Sequence, residues 1–470
     1  MRLRTSPIAV APLAALALAV LPLTAAPAQA AAGAAAPALT QLSTDPYTNT
    51  AAEHATEVEP DIYAWGTTLV ADFQVGRFSG GGADDIGWAA STDGGSSWTH
   101  GFLPGITTSQ GAGTYQRVSD PTIAYDPKAG VWLAQGLDIS AGIDANGVSV
   151  NSSTNGTTWA DPVSVAKATG SEGFDKDWIT CDTTATSPHY GDCYSEWDIT
   201  SSDDQVVMST STDGGKTWSA PKSPADTPLG LGGQPLVSPD GTVIVPFVTN
   251  GNAIRSFTST DGGASWTASV LVSQVTMHTD GGGIRTSALP SAQIDGAGKV
   301  YVSWEDCRFR TGCPANDIVY SSAHDGSGWS AVTRVPIDPV TSTVDHFDPG
   351  FGVDRSTSGS SAHIGLYYYF YPKTSCTTAT CQLEVGYLSS TTAGATWSAP
   401  TTLAGPMKLA QVAQAGGAFV GDYISAAFVS GKAYSCFAVG LPSTSSKKYN
   451  LAMYTAGGLT VAGGSVTAAD

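Results

Sequence analysis

One eight-residue segment recurs along the chain, and it constrains the fold more than any other feature. Three clear copies span 91–98 (STDGGSSW), 211–218 (STDGGKTW) and 259–266 (STDGGASW), and three weaker copies end at Trp159, Trp329 and Trp397. Serine, threonine and aspartate side chains bond to turn backbone, glycines allow positive φ, and tryptophan buries a ring between strands. We call this segment the box and predict that it is a structural turn without a catalytic role.

A second pattern precedes the boxes: a polar pair, a short strand, a turn near Asp or Gly, and an aromatic-rich strand. Its seven members start at Glu59, Asp120, Asp175, Gln234, Leu289, Asp348 and Asp422. Box tryptophans about 50 to 70 residues apart suit four-stranded blades. The sequence therefore predicts an all-β fold, a β-propeller of seven blades with six as the alternative, whose boxes lie on the outer rim.

The weaker boxes lack the aspartate of the clear copies. Thr154, His324 and Thr392 stand at its position, whereas the glycine and the tryptophan remain. We interpret this as a loss of hydrogen bonding in these turns, with the packing of the tryptophan retained.

The amino terminus indicates export. Arg2 and Arg4 precede the apolar run 9–20, and Ala28-Gln29-Ala30 fits a cleavage site, so residues 1–30 are predicted to be a signal peptide. Residues 31–50 are predicted to be a disordered lead-in, and residues 51–470 a single domain. No later apolar run has the length of a membrane span, so we expect an extracellular protein without membrane contact.

Composition excludes some partners. Only 13% of the residues are charged, which disfavours long amphipathic helices, and the formal net charge is −19. Nucleic acid is therefore not expected as a partner, because phosphate binding needs clustered lysine and arginine. We expect a monomer that binds an extracellular oligo- or polysaccharide.

Seven cysteines are present, and six of them form pairs that are close in sequence. The predicted local disulfides are Cys181–Cys193, Cys307–Cys313 and Cys376–Cys381. Cys436 is predicted to be a buried free thiol. No cysteine spacing is that of a zinc site, and neither a metal nor a cofactor is expected. One alternative is a structural calcium ion at the loop 280–283 (DGGG), although its spacing is not that of an EF-hand.

The boxes on an exported β-rich chain resemble the Asp-box, or bacterial neuraminidase repeat (BNR), of the sialidase superfamily over roughly residues 55–440. The resemblance implies a glycosidase of exo-α-sialidase type. In that family an arginine triad holds the substrate carboxylate, a tyrosine assisted by glutamate is the nucleophile, and an aspartate is the acid/base. Guanidinium groups suit an anionic sugar because they donate two parallel hydrogen bonds to a carboxylate.

Two segments carry this resemblance to particular residues. GRFSGGGADDIGW is similar to the loop with the acid/base, which implies Asp84 or Asp85 with Arg77 beside it. DYISAAFVSGKAYSCF is similar to the strand pair that begins with the nucleophile, which implies Tyr423. The family's first arginine, in an Arg-Ile-Pro motif, is absent, since this chain reads VEPD at residues 58–61.

Polar residues at the ends of the predicted hairpins complete the candidates, because these ends would line one mouth of a propeller channel. The predicted catalytic residues are Asp84, Asp85, Asp120, Asp175, Glu305, Asp306 and Tyr423, and the predicted substrate-binding residues are Arg77, Arg117, Arg285, Arg308 and His346. A structural role stays open for them, since aspartate caps turns and Asp306 with Arg308 can form an ion pair.

Three functions stay open at this point. The first is a glycoside hydrolase, in which carboxyl groups about 5 Å apart would indicate retention and about 6.5–9.5 Å inversion of the anomeric centre. The second is a non-catalytic propeller that binds a glycan or a protein. The third is a uronate lyase with His346 or a tyrosine as base.

Overall fold

The computed structural model describes residues 37–140, 145–373, 375–444 and 448–467. The predicted signal peptide, residues 1–30, lies outside the described residues. Those residues form 34 strands and four short 3-10 helices, and none of them belongs to an α-helix. No helix in this part of the chain has the length and apolar character needed to cross a membrane. The chain is therefore all-β, as predicted.

The strands follow one another closely along the chain. In the first half they are β1 Thr40–Gln41, β2 Glu53–Trp65, β3 Thr68–Arg77, β4 Ala83–Ser91, β5 Thr99–Phe102, β6 Arg117–Asp126, β7 Val131–Ile139, β8 Gly147–Ser153, β9 Val163–Lys167, β10 Phe174–Cys181, β11 Cys193–Ile199, β12 Gln205–Ser211, β13 Gly230–Leu231, β14 Leu236–Val237, β15 Val243–Thr249, β16 Ala253–Ser259 and β17 Val270–Gln274. They continue with β18 Ser291–Ile294, β19 Val300–Asp306, β20 Asp317–Ala323, β21 Thr333–Arg334, β22 His346–Val353, β23 Ile364–Phe370, β24 Gln382–Ser390, β25 Thr396–Trp397, β26 Thr401–Lys408, β27 Ala413–Gln414, β28 Ala418–Phe419, β29 Ala426–Val429, β30 Lys432–Ser435, β31 Phe437–Gly440, β32 Leu451–Thr455, β33 Leu459–Thr460 and β34 Val466–Thr467. The 3-10 helices are Thr200–Ser202, Gly281–Gly283, Gly359–Ser361 and Leu409–Gln411.

Antiparallel hairpins dominate the hydrogen bonding. The largest sheet has 11 strands in the order β1-β32-β2-β3-β4-β6-β7-β8-β9, with β31 on β32 and β5 on β4. The other sheets of three or more strands are β10-β11-β12, β13-β15-β16-β17 with β14 on β15, β18-β19-β20-β21, β22-β23-β24-β26 and β29-β30-β33. Two pairs, β25-β34 and β27-β28, stand apart.

The seven hairpins predicted from the sequence are present. Their first strands are β2, β6, β10, β14, β18, β22 and β29. Each of these strands contacts the next one in the series, and β29 contacts β2, so the order of contacts is cyclic. The first strands therefore surround a common region, which is where the functional site must be sought.

The predicted lead-in differs from the expectation, because it is ordered from Thr40 onward. Strand β1 pairs with β32 from near the carboxyl terminus, and Leu42 is fully buried. Ser43 Oγ donates a hydrogen bond of 2.6 Å to a carboxylate oxygen of Glu57. Burial of Leu42 and these paired polar groups hold in place a segment whose composition suggested disorder.

The clear boxes have the hydrogen bonds that their side chains allow. In the first copy, Ser91 Oγ donates to Asp93 Oδ1 at 2.8 Å, and the Gly95 N–H donates to Ser91 Oγ at 2.8 Å. The Ser97 N–H donates to Asp93 Oδ1 at 2.9 Å. Equivalent bonds occur in the copies that begin at residues 211 and 259. Each turn thus satisfies its own backbone donors.

The predicted loss of hydrogen bonding in the weaker boxes is wrong. Asn155, not Thr154, accepts two backbone N–H bonds of its turn, at 2.9 and 2.8 Å. Asp325, not His324, accepts the equivalent bond at 3.0 Å. Thr392 substitutes directly, since its hydroxyl accepts a backbone N–H at 2.9 Å. A polar side chain one residue further along the turn preserves the bonding in two of the three turns.

Each box tryptophan packs into a different hydrophobic cluster, which residues of successive hairpins share. The tryptophans are Trp98, Trp159, Trp218, Trp266, Trp329 and Trp397. Trp397 is fully buried, and its Nε1 donates to the Gly394 carbonyl at 2.9 Å. The boxes therefore link neighbouring hairpins through their rings, as a structural role predicts.

All three predicted disulfides are present. They join Cys181 to Cys193, Cys307 to Cys313 and Cys376 to Cys381. Cys436 is free and buried, as predicted.

The packing of the box tryptophans yields a stability prediction. We expect Trp397→Ala to lower the free energy of unfolding by about 3–5 kcal/mol, because a fully buried ring leaves a cavity. Trp65→Ala is the control: Trp65 lies outside the boxes and is 38% exposed, so we expect a loss of about 1 kcal/mol. Urea unfolding followed by circular dichroism measures both, and equal losses would contradict the structural role of the box.

Candidate functional site

A cavity of about 200 Å³ lies at the beginning of the first strands. Strands β2, β6 and β10 line it, together with the ends of β3 and β7. Its charged lining residues are Glu59, Arg77, Asp120, Asp175, Lys176 and Arg285. Both signs of charge thus meet in a small enclosed space, and we call this space the central cavity.

One backbone feature recurs in four first strands and turns their charged side chains out of the sheets. Glu59, Asp120, Lys176 and Asp348 have positive φ of 54°, 50°, 37° and 46°. A β-bulge interrupts the strand pairing at each of these positions. Left-handed backbone is costly for residues other than glycine, and bulges re-aim side chains next to active sites. This repeated strain indicates a functional site.

Lys176 connects two acids of the central cavity, Glu59 and Asp120, to Asp422, which lies behind the cavity lining. Its Nζ donates to Asp120 Oδ2 at 2.8 Å and to Asp422 Oδ2 at 2.5 Å, and it lies 3.6 Å from Glu59 Oε1. Burial alone lowers the pKa of Lys176, but Asp120, Asp422 and Glu59 together raise that pKa well above its usual value. Lys176 is therefore a permanent buried cation that holds three carboxyl groups together.

Two of these carboxyl groups have pKa values that are shifted in opposite directions. Burial and the nearby Asp120 raise the pKa of Glu59 to about 8. Burial also opposes ionisation of Asp422, but Lys176 and Arg285 lower the pKa of Asp422 to about 2. The Asp422 N–H donates to Glu59 Oε1 at 3.3 Å, so the two residues are neighbours. A protonated carboxyl beside an ionised carboxylate is the combination that acid/base chemistry uses.

Two arginines add to the positive side of the cavity. The Arg77 and Arg285 guanidinium groups lie 4.5 and 4.8 Å from the ring centroid of Phe419. Arg285 Nη2 also donates to Asp422 Oδ2 at 2.5 Å. Arg77 is buried, whereas the Arg285 side chain is 42% exposed and marks the open side. With Lys176, these groups place three cations where an anionic ligand would meet them.

The structure brings four predicted site residues to the central cavity: Arg77, Asp120, Asp175 and Arg285. Glu59 and Asp422 are absent from the sequence-based predictions. The sequence contains a signal for Glu59, though not for Asp422, since an acid followed by proline recurs at 59–60, 120–121 and 348–349. A turn-capping role explains these acid–proline pairs equally well. Only the bulges in the structure reveal the direction in which the acidic side chains point.

Tyr423 lies beside the cluster but does not line the central cavity. Its hydroxyl donates to the Pro121 carbonyl at 3.0 Å, and its ring packs against Trp178, with Lys176 Nζ 6.0 Å from its centroid. Burial raises the pKa of Tyr423 well above its usual value. The phenol is thus neutral and hydrogen-bonded, and the preceding residue, Asp422, reaches the cluster instead.

Asp84 and Asp85 lie in strand β4 and not in a loop, and neither lines the central cavity. Asn49 Nδ2 donates to Asp84 at 2.5 Å, and the Tyr47 hydroxyl donates to Asp85 at 2.7 Å. Both acids therefore bond to the ordered lead-in. Arg117 donates to a backbone carbonyl of the loop that walls the cavity, at 2.8 Å, and is also outside the lining.

The predicted residues around the strand pair β19 and β20, whose connection contains the Cys307–Cys313 disulfide, are also separate from the central cavity. Asp306 and Arg308 form an ion pair of 2.5 Å, and Trp304 Nε1 donates to the same carboxylate at 3.2 Å. His346 packs against Phe370 and lines a different cavity of about 320 Å³. Burial lowers the pKa of His346. Glu305 is fully buried and does not line the central cavity.

Two groups of side chains among the described residues have metal-ligand character, with ligand atoms within 4.8 Å of one another. They are Asp317 with Asp338 and His346, and His278 with Asp280 and Asp345. The first group already contains cations, because Arg310 and Arg334 pair with both of its aspartates. In the second group, no lysine or arginine of the described residues forms a salt bridge with either aspartate.

Residues 144–352 match the model of the BNR repeat-like domain family. No curated protein sequence matches the chain. A protein of unknown function from Dyadobacter fermentans is structurally similar, with 14% identity, a TM-score of 0.46, and 75% of this chain and 98% of that chain covered. The leech intramolecular trans-sialidase has 13% identity, a TM-score of 0.45, and 70% and 67% coverage. The α-L-arabinanase of Penicillium chrysogenum has 14% identity, a TM-score of 0.44, and 72% and 92% coverage.

The buried charge cluster yields a prediction on stability and pH. We expect Lys176→Met to lower the free energy of unfolding by about 3–5 kcal/mol at pH 7, because Asp120 then lacks its cation and Asp422 keeps only Arg285. The Asp422 pKa is lowered in the folded state, so its pairing stabilises the fold above the unfolded pKa of about 4 and is lost as pH falls toward about 2. The difference between wild type and variant should therefore shrink as pH falls through this window.

Urea unfolding at pH 7 and pH 3 measures this difference. Lys216→Met is the control, since Lys216 is exposed in a box turn and should change stability by about 0.5 kcal/mol or less. A loss in Lys176→Met that is the same at both pH values would contradict the assigned charge states.

Proposed function

We propose, from the match of residues 144–352 to the BNR repeat-like domain family, that the chain is an exported glycoside hydrolase of sialidase-like architecture. The boxes predict the same family. The proposed enzyme acts on an anionic extracellular glycan in the central cavity. The three disulfides support export, since such bonds persist in oxidising compartments.

The proposed architecture is a seven-bladed β-propeller. The cyclic contacts of the seven first strands support it, as does the presence of a separate hydrophobic cluster for each box tryptophan. In the last unit, β32 pairs with β1 and also with β2, so the chain termini close the ring together. The central cavity then occupies one mouth of the channel.

The observation that carries the catalytic proposal is the contact of Glu59 and Asp422 with each other and with Lys176, combined with pKa values shifted in opposite directions. Glu59, protonated at neutral pH, donates its proton to the oxygen of the leaving group. Asp422, ionised, acts on the anomeric carbon, either directly as nucleophile or as the base that activates water. These roles replace the tyrosine-based scheme that the resemblance implies.

Substrate binding falls to the cations of the cavity. Arg77 and Arg285 face an anionic group of the sugar, and the partly exposed Arg285 side chain is the one that the sugar meets first. The volume of about 200 Å³ is below the roughly 300–1,000 Å³ typical of drug-sized ligand sites. We therefore propose that the cavity takes one terminal sugar residue.

A non-catalytic glycan-binding protein is the second candidate. It is favoured by the salt bridges that already engage Asp120 and Asp422, because a carboxylate held by Lys176 is a weaker nucleophile. The lyase has less support, since neither His346 nor Tyr423 lines the central cavity.

The catalytic proposal yields a prediction on activity. We expect the wild type to release product from an anionic glycan, and Glu59→Gln and Asp422→Asn each to reduce kcat about 10²- to 10⁴-fold. Because Glu59 must be protonated, kcat should fall as pH rises through about 8. Reducing-end assays on sialyl, uronosyl and neutral oligosaccharides measure the rate.

Glu384→Gln is the matched control, since it neutralises a carboxylate on β24 that does not line the central cavity. Binding of the same glycan by wild type without product would establish the second candidate. Neither binding nor product across the panel would overturn both proposals.

A further inference from the structure

Four acids and a histidine form a second group of titratable residues beside the central cavity. We call this group the acidic cluster, and its members are His278, Asp280, Glu305, Asp345 and Asp348. His278 Nδ1 lies 3.0 Å from Asp345 Oδ1. Asp280 and Asp345 are both buried, and burial together with Asp345 raises the pKa of Asp280 well above its usual value. Two buried carboxylates this close repel each other when both are ionised.

Two further members of the cluster are buried carboxylates without partners. Neither oxygen of Glu305 or Asp348 accepts a hydrogen bond from the described residues, and the two residues are 0% and 3% exposed. After burial, Asp280 contributes most to raising the pKa of Glu305, and Asp422 followed by Asp280 to raising the pKa of Asp348. A buried carboxylate without a partner is costly, so an absent counter-charge is indicated.

Neighbouring groups position the acids of the cluster but supply no positive charge. The Asn316 N–H donates to Asp345 Oδ1 at 2.9 Å, and Asn316 Nδ2 donates to Asp280 Oδ1 at 3.2 Å. The Thr286 hydroxyl donates to Asp280 Oδ2 at 2.6 Å. Arg285 is the cation nearest to Asp348, but its salt bridge is with Asp422.

We propose that His278, Asp280 and Asp345, whose ligand atoms lie within 4.8 Å of one another, bind one divalent metal ion beside the unpartnered Glu305 carboxylate. Carboxylate oxygens with an imidazole nitrogen are a ligand set that Zn²⁺ accepts, whereas Ca²⁺ and Mn²⁺ prefer the carboxylate oxygens. Two positive charges balance carboxylates that have neither lysine nor arginine as partner. The other group of metal-ligand character does not need an ion, because Arg310 and Arg334 already neutralise it.

The ligands come from separate parts of the chain. His278 and Asp280 follow β17, and Asp345 directly precedes β22. The ion would therefore join successive hairpin units near the axis of the first strands. The loop 280–283, which by itself suggests only a calcium site, belongs to one of two contributing segments.

The ion has a consequence for the proposed substrate site, and this part rests on the proposed function. Asp280 begins the 3-10 turn Gly281–Gly283, and Arg285 follows it by two residues. An ion bound to Asp280 would hold the segment 280–285 in place, and with it the salt bridge between Arg285 and Asp422. The ion would thus be a positioning element for substrate binding without contact to the substrate.

The metal site yields a prediction on binding and thermal stability. The full exported chain is treated with chelator, dialysed, and mixed with Ca²⁺, Mn²⁺ or Zn²⁺ in separate arms. We expect one ion per chain by elemental mass spectrometry in at least one arm, with Tm higher by about 2–5 °C at hundredfold excess over Kd. His278→Gln and Asp280→Asn should reduce the retained ion at least about tenfold and abolish the shift.

Asp338→Asn is the matched control, since it removes a carboxylate from the other histidine and aspartate group and should keep both the ion and the shift. His278 is 32% exposed in its side chain, so His278→Gln is expected to fold. Retention by wild type and control with loss in His278→Gln supports the site. No retained ion in any arm, or equal retention in His278→Gln and wild type, overturns it, whatever the outcome for glycan cleavage.

Discussion

The structure depends on hydrophobic clusters that neighbouring hairpin units share. A hairpin unit of a few strands cannot bury its apolar residues alone, so it needs the next unit to cover them. The box tryptophans fill these shared clusters, while the polar side chains of the box satisfy the turn backbone. Because all six boxes repeat this arrangement, the first strands are held side by side, and their charged residues are brought to one place.

The region where the first strands meet contains several buried charged side chains. Their backbone is strained, and their charged groups have lost solvent. Lys176 holds Glu59, Asp120 and Asp422 within one cluster, and the bulged backbone of three of these four residues directs their side chains inward. The lysine keeps Asp422 ionised, while burial keeps Glu59 protonated. The acidic cluster shows the reverse situation, since Glu305 and Asp348 are equally buried but have no such cation. Around Lys176, the charges are balanced by residues of the chain itself. The acidic cluster needs a bound ion to balance its charge.

The limits of prediction from the sequence are visible at particular residues. The all-β fold, the hairpins and the disulfides follow from local patterns, and they are correct. The resemblance led to Tyr423 and Asp84, yet the central cavity has Asp422 and Glu59 nearby. Asp422 and Tyr423 are neighbours in the chain, but the Asp422 carboxylate bonds to Lys176, whereas the Tyr423 hydroxyl bonds to the Pro121 carbonyl, so the contact with Lys176 lies one residue from the implied position. The weaker boxes show the same offset, at Asn155 and Asp325.

The sequence by itself determined the repeat, the strand-rich units, the turn chemistry and the close cysteine pairs, because each depends on residues near one another in the chain. Only the tertiary structure decided which charges meet. Glu59, Lys176 and Asp422 are far apart in sequence, and their directions depend on bulges that no local pattern specifies. Their protonation states follow from burial and mutual charge, which exist only once the strands are packed together.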